Sequence, residues 1–241
     1  GVTLGSEGET QVVYFSQFDE RWRDQNYGPD KIGTHGCGPT SMSIVVSTLT
    51  GESVETPAMA QWAYDNGYCC PGNGSYHTLI PSAAANWGLQ VESNLSAQGL
   101  VDALSSGKLV VAIMAKGHFT NGGHYIVLRG MTSDGKILVA DCGSKARNKV
   151  WDFNIVYNEA RSGADAGGPF WIISCDKKSG VKRHRTQAIK DYTQEDLVED
   201  FADTSYMKLK GELPDTLKQE KKDVSVKKVV SILTMSTGKS L

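Results

Sequence analysis

No stretch of the 241-residue chain approaches the ~20 consecutive apolar residues that a membrane-spanning helix needs, so a spanning segment is not expected. The chain also lacks a charge excess. A formal net charge of −2 argues against nucleic acid as the main partner. Cysteine is scarce and odd in number: with five, at Cys37, Cys69, Cys70, Cys142 and Cys175, at least one thiol stays outside any intramolecular disulfide. Cys69 and Cys70 are neighbours, and bridging adjacent residues strains disulfide geometry. A dense disulfide framework is therefore not expected, and the redox compartment stays open. There is no C-x-x-C pair, no internal repeat and no low-complexity block. The Gly-rich "PGNGS" (71–75) lacks the Lys and the helix of a phosphate loop and reads as a loop at a cleft edge.

What is present is the composition of an ordinary soluble globular protein, 39% hydrophobic and 22% charged. The length suits one large domain with an appendage. Charge separates the two. Residues 1–175 hold 11 Lys and Arg against 16 Asp and Glu, net −5, whereas residues 176–241 hold 14 against 11, net +3. The basic stretch reads as a solvated surface, with contact to a cell wall or membrane surface as the sharper alternative. Residues 1–10, "GVTLGSEGET", are polar and Gly-rich and read as a disordered or linker N-terminus. Without an initiator Met or a signal peptide, they fit a mature, secreted or surface-attached chain.

Periodicity divides residues 11–175 into a helical part and a strand-rich part. "QVVYFSQ" (11–17) reads as a short strand and 18–36 as loop. In "CGPTSMSIVVSTLTG", Met42, Val45, Val46 and Leu49 fall on one helical face, and Gly51 is a natural stop. "TPAMAQWAYDNG", "HTLIPSAAANWG" and "SAQGLVDALSSG" predict three more helices, with Thr56 and Ser96 as caps and Gly67, Gly88 and Gly107 as stops. "LVVAIM" (109–114), "HYIVLRG" (124–130), "KILVADC" (136–142) and "FWIIS" (170–174) predict strands, and "MTSDG" joins the middle two as a hairpin. Helices first and a mostly antiparallel sheet second make an α+β fold. Residues 176–241 read as a charged, partly helical extension, with "TQEDLVEDFA" and "SVKKVVSILTM" as its helices. Its charge, opposite to that of the main domain, fits a contact across the cleft as a built-in inhibitor.

The chemistry starts at "GCGPTS". A helix N-terminus carries about half a positive charge and unpaired N–H groups, and both stabilise a thiolate over a thiol. Cys37 stands at such a position, between glycines that let the backbone turn and a substrate approach. A nucleophilic thiol needs a base. Of the five histidines, His124 begins a strand after "TNGG". A hairpin centred near Ser133 places His124 opposite residue 142, within one residue of Asp141. A nucleophile, a base and an orienter would then be complete. Gln17, at the end of the first strand, could join the Cys37 N–H as an oxyanion donor. A metal site built from His118, His124 and Cys37 fits no zinc spacing. Trp22, Trp62 and Trp87 read as core or cleft wall, and His77 as a satisfied core or surface residue.

"YFSQFDERW", "IGTHGCGPTSMSIVVSTLTG", "GHFTNGGHYIVLRG" and "KILVADCGS", in that order, resemble the papain-like cysteine peptidases related to the double-glycine leader peptidases of bacteriocin exporters. The resemblance runs from about Val12 to Ser174 and rests most on the Cys and His blocks. It implies a papain-like α+β fold, Cys37 as nucleophile, His124 as general base and acid, Asp141 as orienter and Gln17 as oxyanion donor. Two departures keep alternatives open. Members of the family usually follow this Asp with Pro, and here Cys142 follows, which leaves Asn148 or Asn154 as the orienter. Gln17 lies twenty residues before Cys37, so the loop between them must fold back to bring it in. Residues 176–241 resemble nothing in the family. The implied activity is hydrolysis of a peptide or protein substrate through an acyl-enzyme, without metal or organic cofactor, in a secreted or cell-surface bacterial setting. A thiol amidase, isopeptidase or transpeptidase acting on cell-wall peptides would use the same residues, and a non-catalytic peptide-binding module would keep them in place.

Overall fold

Successive strand residues point to opposite faces of a sheet, and here both faces are covered. In the computed structural model, which describes residues 10–93 and 96–175, a short hairpin of β1 (Asn26–Tyr27) and β2 (Asp30–Lys31) leads into α1 (Ile32–His35) and α2 (Cys37–Thr50). Then come α3 (Thr56–Asp65), α4 (Leu79–Asn86), β3 (Gln90–Glu92), α5 (Ala97–Ser105), β4 (Leu109–Met114), β5 (His124–Met131) and β6 (Lys136–Ala140). A 3-10 turn (Lys145–Arg147), β7 (Val150–Asp152), α6 (Phe153–Glu159) and β8 (Phe170–Ser174) complete the series. Six strands form one antiparallel sheet in the order β3-β8-β4-β5-β6-β7, so β8 lies between β3 and β4.

Alternate residues of the central strands feed two separate cores. Leu109, Val111 and Ile113 of β4, Tyr125 and Val127 of β5, and Trp171 and Ile173 of β8 pack with α2, α3 and α4. Val110, Ala112, Met114, Ile126, Leu128, Phe170 and Ile172 pack with α5 and α6 on the other side. This double burial is why these strands read as unbroken apolar runs rather than as alternating ones. Each fully buried Val, Leu or Ile contributes about 1.5–3 kcal/mol, so the sheet is a rigid base for what its edges carry.

Helix α2 is buried on every side from Cys37 to Leu49, not on one face only. Its hydroxyls serve as anchors rather than as a solvated face. Thr48 Oγ1 accepts from Val13 N (2.8 Å), Ser47 Oγ accepts from Val54 N (2.9 Å), and Ser41 Oγ donates to Tyr125 O (3.3 Å) on β5. Gly51 ends the helix at φ +78°, its N–H on Ser47 O.

"QVVYFSQ" is not a strand. Its N–H groups go singly to a side chain and to non-neighbouring loops: Val13 N to Thr48 Oγ1, Gln17 N to Cys142 O. An extended, β-branched run without a partner edge gains no ladder. Thr10, expected within the disordered N-terminus, is buried, with its N–H on Arg129 O and its hydroxyl on Gly107 O (2.7 Å). Thr56 is the first residue of α3 and caps nothing, whereas Ser96 Oγ does cap α5 by accepting from Gly99 N (3.1 Å). Residues 18–36 hold β1, β2 and α1, and the sheet gains β3 and β7 beyond the expected strands. Trp22 is core, and Trp62 and Trp87, half-buried against the core, pack edge to face on each other with centroids 5.1 Å apart. All five cysteines are free thiols. The expected helices of 176–241 and the expected contact of that extension with the cleft lie outside the described residues.

Candidate active site

Cys37 opens α2, and its surroundings explain the residues beside it. Pro39 has no N–H to leave unpaired, and the Thr40 N–H closes the first turn on Gly36 O (2.9 Å). The flanking glycines are required by close packing rather than by unusual torsions. A Cβ on Gly36 would stand 2.5 Å from Ile32 O, and one on Gly38 would stand 2.7 Å from Ser75 Oγ. Ser75, in the loop containing "PGNGS", therefore packs against the turn that carries the thiol.

His124 opens β5 and Asp141 follows the last residue of β6. The β5–β6 ladder pairs Val127 with Ala140 and Met131 with Ile137, with an irregularity between Leu128 and Gly130. That brings the start of β5 beside the end of β6. His124 Nε2 meets Asp141 Oδ1 at 2.6 Å, both residues fully buried. The Asp141 carboxylate is held by two further donors, and its backbone by two other side chains. Gly143 N–H donates to Oδ1 (2.8 Å), Arg147 Nε donates to Oδ2 (2.7 Å), and the Asp141 backbone N–H and C=O are taken by Asn148 Oδ1 and the Tyr14 hydroxyl. Asn148 thus holds the orienter in place, and Asn154, on α6, shows no bond from its buried Oδ1.

The electrostatics follow from this geometry. Burial alone would push the His124 imidazolium down, but the Asp141 charge and hydrogen bond, with a side-chain hydrogen bond to Cys37, outweigh it and raise the group to about 10. Burial pushes the Asp141 carboxyl up, and the charges of His124 and Arg147 overcome that and hold it well below the usual carboxylate range. Nε2 of His124 is committed to Asp141. That leaves Nδ1 as the ring nitrogen for the hydrogen bond with Cys37.

The loop 18–36 folds back and carries Gln17 into the site. Gln17 is fully buried; its Nε2 donates to Gly33 O (3.1 Å), and its Oε1 accepts from Cys142 Sγ (3.5 Å). An amide nitrogen carries two hydrogens, and the Gly33 bond uses one. Gln17 Oε1 and the His124 ring both border Gly143: a Cβ there would lie 3.1 Å from Gln17 Oε1, 2.8 Å from His124 Cε1 and 3.1 Å from His124 Nε2. Cys142, the residue that departs from the family pattern, lies behind Cys37, with its Sγ 3.6 Å from both Cys37 O and Ser41 Oγ. Burial, together with the charges of Cys37 and Asp141, pushes this thiol well up, so it serves as a neutral donor. Gly143→Ala is expected to displace the imidazole and cut turnover about 100-fold at near-normal stability, since misplacement by about 1 Å costs that much. Kinetics beside a thermal melt check it.

The other histidines stand apart. His118 pairs with Glu159 through Nδ1 (2.5 Å) on an exposed loop. His77 is buried, accepts the Asp165 N–H on Nδ1 (3.1 Å) and is pushed down to about 3 by burial and the Arg161 charge. The donor atoms of His124, Asp141 and Cys142 lie within 4.8 Å of one another, but the contacts above already commit them to one another, to Gly143, to Arg147 and to Gln17. Arg147, Gly143 and Cys142 are the site residues that sequence reasoning missed. The one available signal was the departure at Cys142 itself.

Residues 9–165 match the profile of the Peptidase_C39-like family, and the chain belongs to that family. Its α+β architecture, with helix α2 packed on an antiparallel sheet, is the papain-like one. No curated protein matches the sequence. Among solved structures it is similar to the peptidase domain of Streptococcus ComA, a bifunctional ABC transporter involved in a quorum-sensing pathway, with 19% identity and a TM-score of 0.44 over 69% of this chain and 98% of that one. It is also similar to a double-glycine-motif protease from an AMS/PCAT transporter, solved with its leader peptide, with 15% identity and a TM-score of 0.44 over 71% and 96%. No helix among the described residues is long and apolar enough to cross a membrane.

Proposed function

We propose that this chain is a cysteine peptidase that hydrolyses a peptide bond through an acyl-enzyme. The observation that carries the reading is the Cys37–His124–Asp141 series, in which a buried thiol at a helix start shares the imidazole with a carboxylate at 2.6 Å. The Cys37 sulfur attacks the amide carbonyl, and a C–S bond forms. The negative charge that develops on oxygen is met by the Cys37 N–H and the Gln17 side-chain amide. The C–N bond breaks as His124 Nδ1 delivers a proton to the leaving amine. The imidazole then removes a proton from water, hydroxide adds to the thioester, and the thiol is regenerated as the acid leaves. Asp141 keeps Nε2 protonated and the ring aligned throughout. The substrate class is a peptide or protein.

The test needs no substrate. Iodoacetamide labelling at pH 6, read by peptide mass spectrometry, is expected to modify Cys37 at least ~10-fold faster than Cys69 or Cys142, and His124→Ala is expected to remove the difference. The two comparison thiols are good standards, because burial and neighbouring negative charge push Cys69 up to about 12 and hold Cys142 well up. Labelling of Cys37 that is slow and indifferent to His124 would leave a peptide-binding module in place of an enzyme.

A further inference from the structure

Arg147 is the cation that the catalytic series does not call for. It ends the 3-10 turn Lys145–Arg147, between β6 and β7. Its backbone is fixed at both ends: its N–H donates to Ser144 O (3.2 Å), and its C=O accepts from Lys149 N (2.9 Å) and Trp151 Nε1 (3.0 Å). Its side chain is buried and reaches Asp141 Oδ2 at 2.7 Å, whereas His124 holds Oδ1 at 2.6 Å. One carboxylate therefore lies between two cationic groups, one on each oxygen, in a site without solvent.

We propose that Arg147 is a positioning residue for the reaction: by sharing the Asp141 carboxylate with His124, its guanidinium fixes the carboxylate plane at the imidazole edge and limits how tightly the imidazole keeps its proton. The proposal rests on the reading of Cys37 and His124 as the reacting pair. A buried carboxylate facing a lone imidazolium binds its proton strongly, because attraction between charges grows as the medium becomes less polar. An imidazole that grips its proton is a poor acid toward a leaving amine. A second cation on the far oxygen draws off part of that pull and leaves the alignment intact. The planar guanidinium suits this task, since its N–H groups have fixed directions.

Among the described residues, each member answers to nearby charges and thiols. His124 feels Asp141 and the Cys37 thiol. Asp141 feels His124 and Arg147. The Cys142 thiol feels Cys37, Asp141 and Arg147 and stays protonated. Lys145, on the same turn, is turned electrostatically toward Asp19.

The experiment is an NMR titration of the full chain with isotope-labelled histidine, run on wild type, Arg147→Gln and Arg147→Lys. Gln keeps a donor near Oδ2 without the charge, and Lys keeps the charge without the fork. In Arg147→Gln the His124 midpoint is expected to rise by about one pH unit, a tenfold tighter hold on the proton. Arg147→Lys should return the midpoint most of the way. A midpoint that stays put or falls in Arg147→Gln overturns the proposal, because a merely structural role would loosen Asp141 and lower the midpoint. Should Arg147→Gln fail to fold, Arg147→Lys decides alone: a midpoint within about 0.3 units of wild type supports charge sharing, and a fall of about a unit overturns it. Because the titration reads His124 through Asp141, it is informative even if Cys37 proves unreactive. That outcome would count against the peptidase reading and not against Arg147.

Discussion

Serine in place of Cys37 is expected to lower peptide hydrolysis by about 10⁴-fold or more and to leave the melting temperature nearly unchanged. The substitution keeps the shape of the side chain at the start of α2, so the buried helix and its contacts with Ser75 and β5 persist. What is lost is the nucleophile. A hydroxyl is far less acidic than a thiol, and nothing at the start of a helix closes that gap. His124→Ala is expected to cost as much, and the double variant no more than either, because residues acting as one unit do not add. Digestion of a mixed peptide library followed by mass spectrometry reads turnover, and calorimetry reads the fold. Residual hydrolysis within tenfold of wild type in Cys37→Ser would move the nucleophile elsewhere.

Asp141→Asn should damage both activity and stability. The amide keeps the size of the carboxylate but removes the charge that His124 and Arg147 share in a buried site. Breaking a buried pair from one side leaves an uncompensated cation, here the guanidinium, at a cost of about 3–5 kcal/mol. The imidazole loses both its counter-charge and its correct tautomer, and the comparable change in a serine hydrolase lowers kcat by about 10⁴. The pH dependence of stability has a definite sign. His124 is raised from its ordinary value of 6.5 to about 10, so its contribution is complete below 6.5 and fades as pH climbs toward 10. Asp141 is held down, so its contribution is present above the ordinary carboxylate range and fades as pH falls below about 4. These are one coupling seen from its two partners and are counted once. Melting temperatures across pH 3–10 should therefore form a dome in wild type that is flatter on both flanks in Asp141→Asn. A dome of unchanged shape would mean that the pair contributes nothing to folding.

Much of this site is legible in the sequence, because its chemistry depends on local punctuation. Gly-Cys-Gly-Pro before an apolar run announces a thiol at a helix start. A histidine opening a strand that a hairpin returns to an aspartate predicts their approach, although the irregularity between Leu128 and Gly130 shifts the register from the one a simple turn count gives. Gln17 was readable as a candidate donor at the end of the first run, but its delivery was not, since that depends on nineteen intervening residues folding back around Trp22 and Gly33. Arg147, Gly143 and the location of Cys142 were illegible for a different reason. The segment from Asp141 to Lys149 has neither helical nor strand period, and its conformation is dictated by the carboxylate it surrounds. The misread "QVVYFSQ" shows the same limit from the other side: β-branched residues favour extension, but only an available edge makes a strand.

The place of β8 ties the timing of activity to the far end of the described domain. Phe170–Ser174 is the last of the described strands to leave the ribosome, yet it must slide between Gln90–Glu92 and Leu109–Met114. Until it arrives, the growing chain carries two raw sheet margins, and the helical half has no continuous surface to rest on. Such margins are adhesive and invite neighbouring chains. A nascent or nicked chain that stops short of Phe170 is therefore a candidate for clumping rather than a half-built domain, and Cys37 and His124 gain their buried setting only once synthesis has passed the described domain.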